Sequence, residues 1–487
     1  MIEKTVEPVG SNGKLKFIIG ALVGAFLFLA PIPVSEYSEA AGEYITAFNI
    51  PLGLVIAWLN GVLNFGELPT EDIRLWLAYL FIIVAFLGTL LTYVVKPKFI
   101  MESPKLKDIF YTSPLYAVTR VLAVIIMTLV IFEIEPTFYV GNEFVGTADL
   151  GVALVDRWDG AGLMVFDLIT GLTTIFLVLS FATPLLTDFG LMEFIGIIIK
   201  KFVNALFLLP GRAAVDLAAS WLGSSAVAVI ITSDQHEKGY YTGREAATIC
   251  ANFALVSVPF SLIIATTVGV EAHFATWYLI VAITCILLGI IMPRVWPLRH
   301  LPDTYPEGVT KQLDEEVEEG GSRFQVAVAR ASARAAKATL PDFMKNGFNG
   351  WLTAFMDLFP VIVAWGTIAI VINAVTPIFD WIAWPFGQML ELLNVAGGAT
   401  YAPVTVVGFI DMFLPAIIMG SETYLETRFI LSALSIVQII YMAETGVLIL
   451  KSKMPVGMGK LIVLFFMRTV IALPIIVGLT RLLMNFS

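Results

Sequence analysis

Charge is scarce in this sequence: 14% of its 487 residues are Asp, Glu, Lys or Arg, where soluble domains carry about 25%. A chain this poor in charge is made for lipid rather than water. Cysteine is nearly absent, and the two present, Cys250 and Cys285, both sit in apolar runs. That leaves no disulfide framework and no thiolate spacing for a metal. The three histidines, His236, His273 and His300, are scattered, so neither a His-built metal centre nor a His-Glu-x-x-His protease motif is present. Basic residues are outnumbered, 29 Lys and Arg against 39 Asp and Glu, for a net charge of −10. This argues against nucleic acid as a partner. No polar stretch is long enough for a separate soluble catalytic domain, and no cofactor motif occurs.

What fills the sequence is apolar: 58% hydrophobic residues and a mean hydropathy of +0.87. Roughly ten apolar runs recur, several exceeding the ~18 residues that span a bilayer as helix. They lack strand alternation, and only helices or closed barrels satisfy their backbone in lipid. The fold class expected is an all-α polytopic membrane protein. The first run follows Lys14 and Lys16 and ends at Pro31 and Pro33. It reads as a span over 15–35, with a cleaved signal peptide as the alternative. The acidic stretch Glu36 to Glu43 reads as an outside loop. Residues 46–66 carry Pro51 and Asn60 and do not cross fully; further spans are expected over 74–95, 112–134 and 161–187.

Lys and Arg mark the cytoplasmic side. They cluster at Lys96, Lys98, Lys105 and Lys107, in the polar segment Arg294 to Lys345, and at Lys451, Lys453 and Lys460. This places the chain in the cytoplasmic (inner) membrane, N-terminus inside. Within 294–345, Arg323, Arg330, Arg334 and Lys337 share one helix face. That face suits a basic helix against anionic lipid, or a solvated connector.

The two halves repeat a motif series. The first reads Thr183-Pro184, Asp188, Asp216, Gly223-Ser224-Ser225, Thr242-Gly243-Arg244; the second reads Thr376-Pro377, Asp380, Asp411, Gly420-Ser421-Glu422, Glu426-Thr427-Arg428. Pro184 to Asp216 spans 32 residues and Pro377 to Asp411 spans 34. Each Arg then opens a long apolar run, 245–268 and 429–449, closed by one further span, 272–293 and 461–484. Asp167 and Asp357 offer a second related pair. Between 188 and 244 lie Lys200, Lys201, Arg212, Lys238 and Arg244, whereas no Lys or Arg separates Lys345 from Arg428. Related segments therefore lie on opposite membrane faces, as in the inverted repeats of secondary transporters. The expected organisation is N-terminal scaffold helices over 1–150, a first repeat over 155–293, the cytoplasmic linker 294–345 and a second, inverted repeat over 346–487. Each repeat holds an interfacial helix (189–208, 379–394) and a re-entrant helical hairpin (212–232, 402–422). Irregular backbone at membrane depth is tolerated where it lines a cavity, so a central site between two hairpin tips is expected.

Ionisable and polar groups inside spans default to functional candidates. Asp216 and Asp411 suit a cation, a proton or a substrate amine, or alternatively cap helix N-termini. Gly223, Ser224, Ser225, Gly420, Ser421, Glu422 and Thr423 form the expected tips, where freed backbone and hydroxyls would meet a polar solute. Asn252 and Gln438 are polar points on the long spans. Glu444 lies 7 residues before Lys451 and Arg468 lies 8 after Lys460. On continuous antiparallel helices both sit about 11 Å deep, as a buried ion pair.

The two hairpin segments, Asp216-Leu-Ala-Ala-Ser-Trp-Leu-Gly-Ser-Ser225 and Asp411 to Glu422, followed by Thr-Gly-Arg-Glu245 and Glu-Thr-Arg428, resemble the nucleoside-recognition (Gate) domain membrane proteins of the YjiH type. The likeness covers about 155 to 487. It implies a Gate-type fold shared in outline with concentrative nucleoside transporters and the ferrous-iron permease core, in which hairpin tips and broken helices hold solute and a sodium ion. No Gly-x-x-x-x-Gly-Lys-Ser/Thr loop occurs here, which sets the iron-permease reading aside. The expected function is a cation-coupled symporter of a small polar solute (amino acid, short peptide or nucleoside), with sodium or a proton as coupling ion. A homo-oligomer is compatible with this. The alternatives are a channel or partner-dependent permease subunit and, third, an intramembrane aspartyl enzyme, which would need two carboxylates sharing a proton.

Overall fold

The computed structural model describes residues 11–38, 43–63, 72–112, 114–132, 134, 139–140, 143–144, 165, 169–222, 225–306, 323–419, 424–442 and 444–484. Among these, regular structure is helical apart from two antiparallel two-stranded ribbons, Ile32–Ser38 with Glu43–Asn49 and Tyr139–Val140 with Glu143–Phe144. Among the described residues, six stretches are long and apolar enough to cross a bilayer: Ile73–Val94, Ile169–Thr187, Gly243–Thr267, Glu271–Arg294, Leu340–Ile368 and Met458–Leu483. The protein is an all-α polytopic membrane protein. The ends of the acidic stretch expected as an outside loop belong to the first ribbon, with Ile32 opposite Asn49 and Ser38 opposite Glu43. Alternating apolar and polar residues, rich in β-branched and aromatic types, favour that pairing. A 13-residue helix, Pro51–Leu63, follows it.

The chain forms two compact units, each assembled from separated segments. One comprises Leu54–Phe181 and Met344–Trp384. Its Ile73–Val94 helix starts at Asp72, whose Oδ1 accepts from Arg74 N at 2.8 Å. The same carboxylate takes the Arg74 guanidinium at 2.6 Å. Arg74 also donates to Asn60 Oδ1 (3.0 Å) and Thr174 Oγ1 (3.2 Å), tying three helices together. The Pro114–Ile131 helix packs on Ile73–Val94 and on Phe359–Val375. It carries Arg120, whose side chain is buried and donates to Thr89 Oγ1 (2.5 Å) and to Asp357 Oδ1 (2.5 Å). Asp357 sits in a π-helical turn, Ala354–Leu358, where an extra residue per turn swings the carboxylate towards Arg120. Its suggested counterpart Asp167 lies outside the described residues. Arg120 was detectable in the sequence as an arginine inside an apolar run, a group that needs a partner in lipid.

The second unit comprises Met1–Gly53, Ala182–Phe343 and Pro385–Ser487. Its Ser11–Leu29 and Leu191–Phe207 helices both pack on Arg323–Lys337. Ala327, Ala331 and Ala335, four residues apart, are fully buried there, and Phe17 joins them. Methyl side chains let the backbones approach. Gly190, at φ +86°, lies so close to the Ala331 carbonyl that a Cβ would meet backbone. The basic helix, expected either against lipid or as a solvated connector, seats its alanine face on protein, and Arg334 reaches Asp188 (3.5 Å) and Glu193 (3.8 Å).

The Arg120–Asp357 pair is asymmetric: the arginine is 1% exposed and the aspartate 35%. Asp357→Asn strands a buried cation, whereas Arg120→Met leaves a carboxylate that still reaches the surface of its unit. We expect Asp357→Asn to be the costlier change, on the order of 3 kcal/mol. Melting temperatures in detergent check this, and a larger loss for Arg120→Met contradicts it.

Candidate functional site

The candidate site lies in the second unit and rests on two interrupted helices. The apolar runs 245–268 and 429–449, expected as continuous spans, both break. The first runs as Gly243–Phe253, then irregular backbone, then Val258–Thr267. Thr242 opens it with a capping box: its Oγ1 accepts from Glu245 N, and Glu245 Oε2 accepts from Thr242 N at 2.8 Å. The second half starts at Ser257, whose Oγ accepts from Phe260 N, with Pro259 in the first turn where its missing N–H costs nothing. The other run is Leu425–Gln438, then irregular backbone at 439–442 and 444, then Thr445–Lys451. Ile439 stands at φ +65°, a backbone region that β-branched residues rarely adopt and that persists only where the surroundings impose it.

A broken helix leaves carbonyls without partners at its C-terminal end, and named side chains answer them here. Arg468, on Met458–Leu483 and 0% exposed, donates Nε (3.1 Å) and Nη2 (2.7 Å) to Val437 O, and Nη1 to Ala251 O (3.3 Å) and to Asn252 Oδ1. One guanidinium thus closes the ends of both half-helices. Each end carries roughly half a negative charge, so two ends together offset about one cation. Tyr441 Oη donates to Ser435 O (3.1 Å) and Ile436 O (2.6 Å), and Thr445 Oγ1 to Ile439 O (2.7 Å). Ser220 Oγ donates to Leu255 O in the first break at 2.8 Å.

The expected Glu444–Arg468 ion pair does not form. Its depth argument needs one unbroken helix through Glu444, and the helix ends at Gln438 and resumes at Thr445. Glu444 instead accepts from Ser225 Oγ at 2.7 Å. Ser225 opens the Ser225–Glu237 helix, which packs against Ala213–Leu222. Asp216 locks these two helices antiparallel: its carboxylate accepts from Thr232 Oγ1 (3.0 Å), Gln235 Nε2 (3.3 Å) and Tyr241 Oη (2.9 Å). Asp411 has a different environment. It is buried, and its Oδ1 accepts from Phe413 N at 2.7 Å, beside the short Leu414–Met419 helix. The two related aspartates share no hydrogen-bond partner and are not brought together as a dyad. The 402–422 segment, expected as a hairpin, holds two short helices, Val404–Val407 and Leu414–Met419.

Asn252 and Gln438, one at each break, are both fully buried. Gln438 Nε2 donates to Thr405 O (2.7 Å) and Thr469 Oγ1 (2.8 Å). Its Oε1 and the Asn252 Nδ2 have no hydrogen-bond partner, one open acceptor and one open donor. Gly223, Ser224, Gly420, Ser421, Glu422 and Thr423 lie outside the described residues. Sequence reasoning missed Tyr241, Thr405 and Thr469, two hydroxyls and a carbonyl whose partners are remote in the chain, and Tyr441, which bonds back to carbonyls five and six residues before it. Ser257-Val258-Pro259 was a readable break signal; nothing comparable marks Ile439.

A family model described as Gate, nucleoside recognition, matches residues 169–271, which hold Asp216, the helical pair and the first broken helix. An uncharacterized protein of Alkalihalophilus pseudofirmus is 39% identical over 476 residues, covering 97% of this chain and 95% of that protein. The chain belongs to the Gate-domain membrane proteins, in one family with that relative. No solved structure matches it.

In this Gate-domain protein Arg468 is bound to helix ends rather than to Glu444. Arg468→Leu should lower stability by about 3 kcal/mol or more, since several buried carbonyls lose their donor at once. Adding Glu444→Leu should restore nothing. Recovery in the double variant, read as melting temperature, would reinstate the ion pair.

Proposed function

We propose that the protein is a cation-coupled secondary transporter, moving a small polar solute (an amino acid, short peptide or nucleoside) by alternating access between two inverted repeats. The observation that carries this is the meeting of two discontinuous helices at one buried point, where polar side-chain atoms remain open. Such half-helix ends are where transporters hold solutes and ions. The Gate family match and the charge asymmetry between the halves support the same reading. Asn252 Nδ2 and Gln438 Oε1 suit a solute that presents an acceptor and a donor, which fits amides, zwitterions and nucleobases.

Arg468 guides our choice of coupling ion. A cation held by half-helix carbonyls is one way to drive such a cycle, but here a fixed guanidinium already takes Val437 O and Ala251 O. Glu444, held by Ser225 from the neighbouring helical pair, is the titratable group placed to change partners as the pair moves. We assign the coupling ion as a proton and Glu444 as its carrier, with Asp411 and Glu422 contributing to the central site.

Proteoliposome uptake of a labelled panel of amino acids, dipeptides and nucleosides, under a proton or a sodium gradient, tests this. The expected result is saturable accumulation of one class, driven by the proton gradient. Glu444→Gln should abolish accumulation by at least about tenfold while equilibrium exchange survives. Accumulation that needs sodium and ignores Glu444→Gln rejects the proton assignment, and linear, unsaturable flux rejects the transporter itself.

A further inference from the structure

At the N-terminal end of the first broken helix, the same unit holds a cavity of about 230 Å³, lined by three arginines, Arg244, Arg294 and Arg299, with Glu245 and the apolar Phe207 and Leu209. We propose that this cavity binds the phosphodiester headgroup of an anionic phospholipid. This reading is independent of the transport mechanism.

The guanidinium groups are only partly used. Arg244 Nη2 pairs with Asp303 at 2.6 Å. Arg294 donates Nη1 to Leu206 O (3.0 Å) and Ile290 O (2.5 Å), closing two helix ends with one nitrogen. The Arg299 side chain makes no hydrogen bond or ion pair with a described residue and is exposed. Glu245 is committed to its capping box at Thr242. Three arginines against Glu245 and Asp303 leave one positive charge, which a single phosphodiester neutralises. Planar guanidinium forks match phosphate oxygens two at a time.

The surroundings choose lipid over a soluble anion. Leu208 lines the cavity and Leu206 accepts from Arg294 through its carbonyl; both are exposed, as are Phe202, one turn before Leu206 on the same helix (63%), and Trp296, two residues after Arg294 (56%). Apolar side chains and a tryptophan around a basic pocket are the signature of the membrane interface. The cavity is smaller than the roughly 300–1,000 Å³ of pockets that enclose a drug-sized ligand. It takes a headgroup and leaves the acyl chains outside, along those apolar residues. Arg294 and Arg299 belong to the basic segment that the charge pattern puts on the cytoplasmic side, where anionic lipid attracts juxtamembrane cations.

The test is thermal unfolding of the purified full chain in neutral detergent, with phosphatidylglycerol, phosphatidylcholine or inorganic phosphate added. Phosphatidylglycerol should raise the melting temperature by a few degrees through binding the native state, and the other two should not. Arg299→Gln breaks no contact and so should fold; it should at least halve the shift, and Arg294→Gln with Arg299→Gln should remove it. An equal shift from phosphatidylcholine, or one untouched by Arg299→Gln, overturns the site. An equal shift from inorganic phosphate alone overturns the lipid and leaves a soluble-anion pocket.

Discussion

One guanidinium holds the interior together. Arg468 enters from the last long helix and closes the ends of two half-helices that come from opposite halves of the chain. Breaking a helix inside a bilayer exposes carbonyls where no water can meet them, each costing several kcal/mol if left alone. The breaks exist because Arg468, Tyr441, Thr445 and Ser220 donate to those carbonyls. In return, the helix ends supply the negative potential that lets a cation stay buried without a carboxylate. Neither the breaks nor the arginine is tenable without the other.

Carboxylates then divide by what they hold. Asp216 fastens a helical pair through three side-chain donors, and Asp411 accepts from backbone. Asp357 answers a buried arginine in the other unit. Glu444 differs: it accepts from a serine hydroxyl at the start of a neighbouring helix, a contact between elements that could move against each other, and the transport reading centres on it for that reason.

Much of this was legible in the residues, and the limits are physical. The apolar runs gave the helices, because lipid leaves the backbone no other choice. The Thr242 capping box and the Ser257-Val258-Pro259 start were local signals that need no tertiary information. Hydrophobic periodicity cannot report a bend imposed from outside, so the Ile439 break was invisible. The Glu444–Arg468 pair failed for the same cause, since equal depth holds only while both helices are straight. The alanine stripe of Arg323–Lys337 was hidden by the charges interleaved with it.

By itself the sequence determined the solvent, the helical class and the doubled motif series, because each follows from composition, spacing and the cost of charge in lipid. Only the tertiary structure decided who partners whom. Arg468 on backbone carbonyls, Glu444 on Ser225 and Arg120 on Asp357 join residues 31 to 237 positions apart. A buried polar group announces that it needs a partner, but the partner's identity depends on where helices bend and which faces meet, and those are properties of packing.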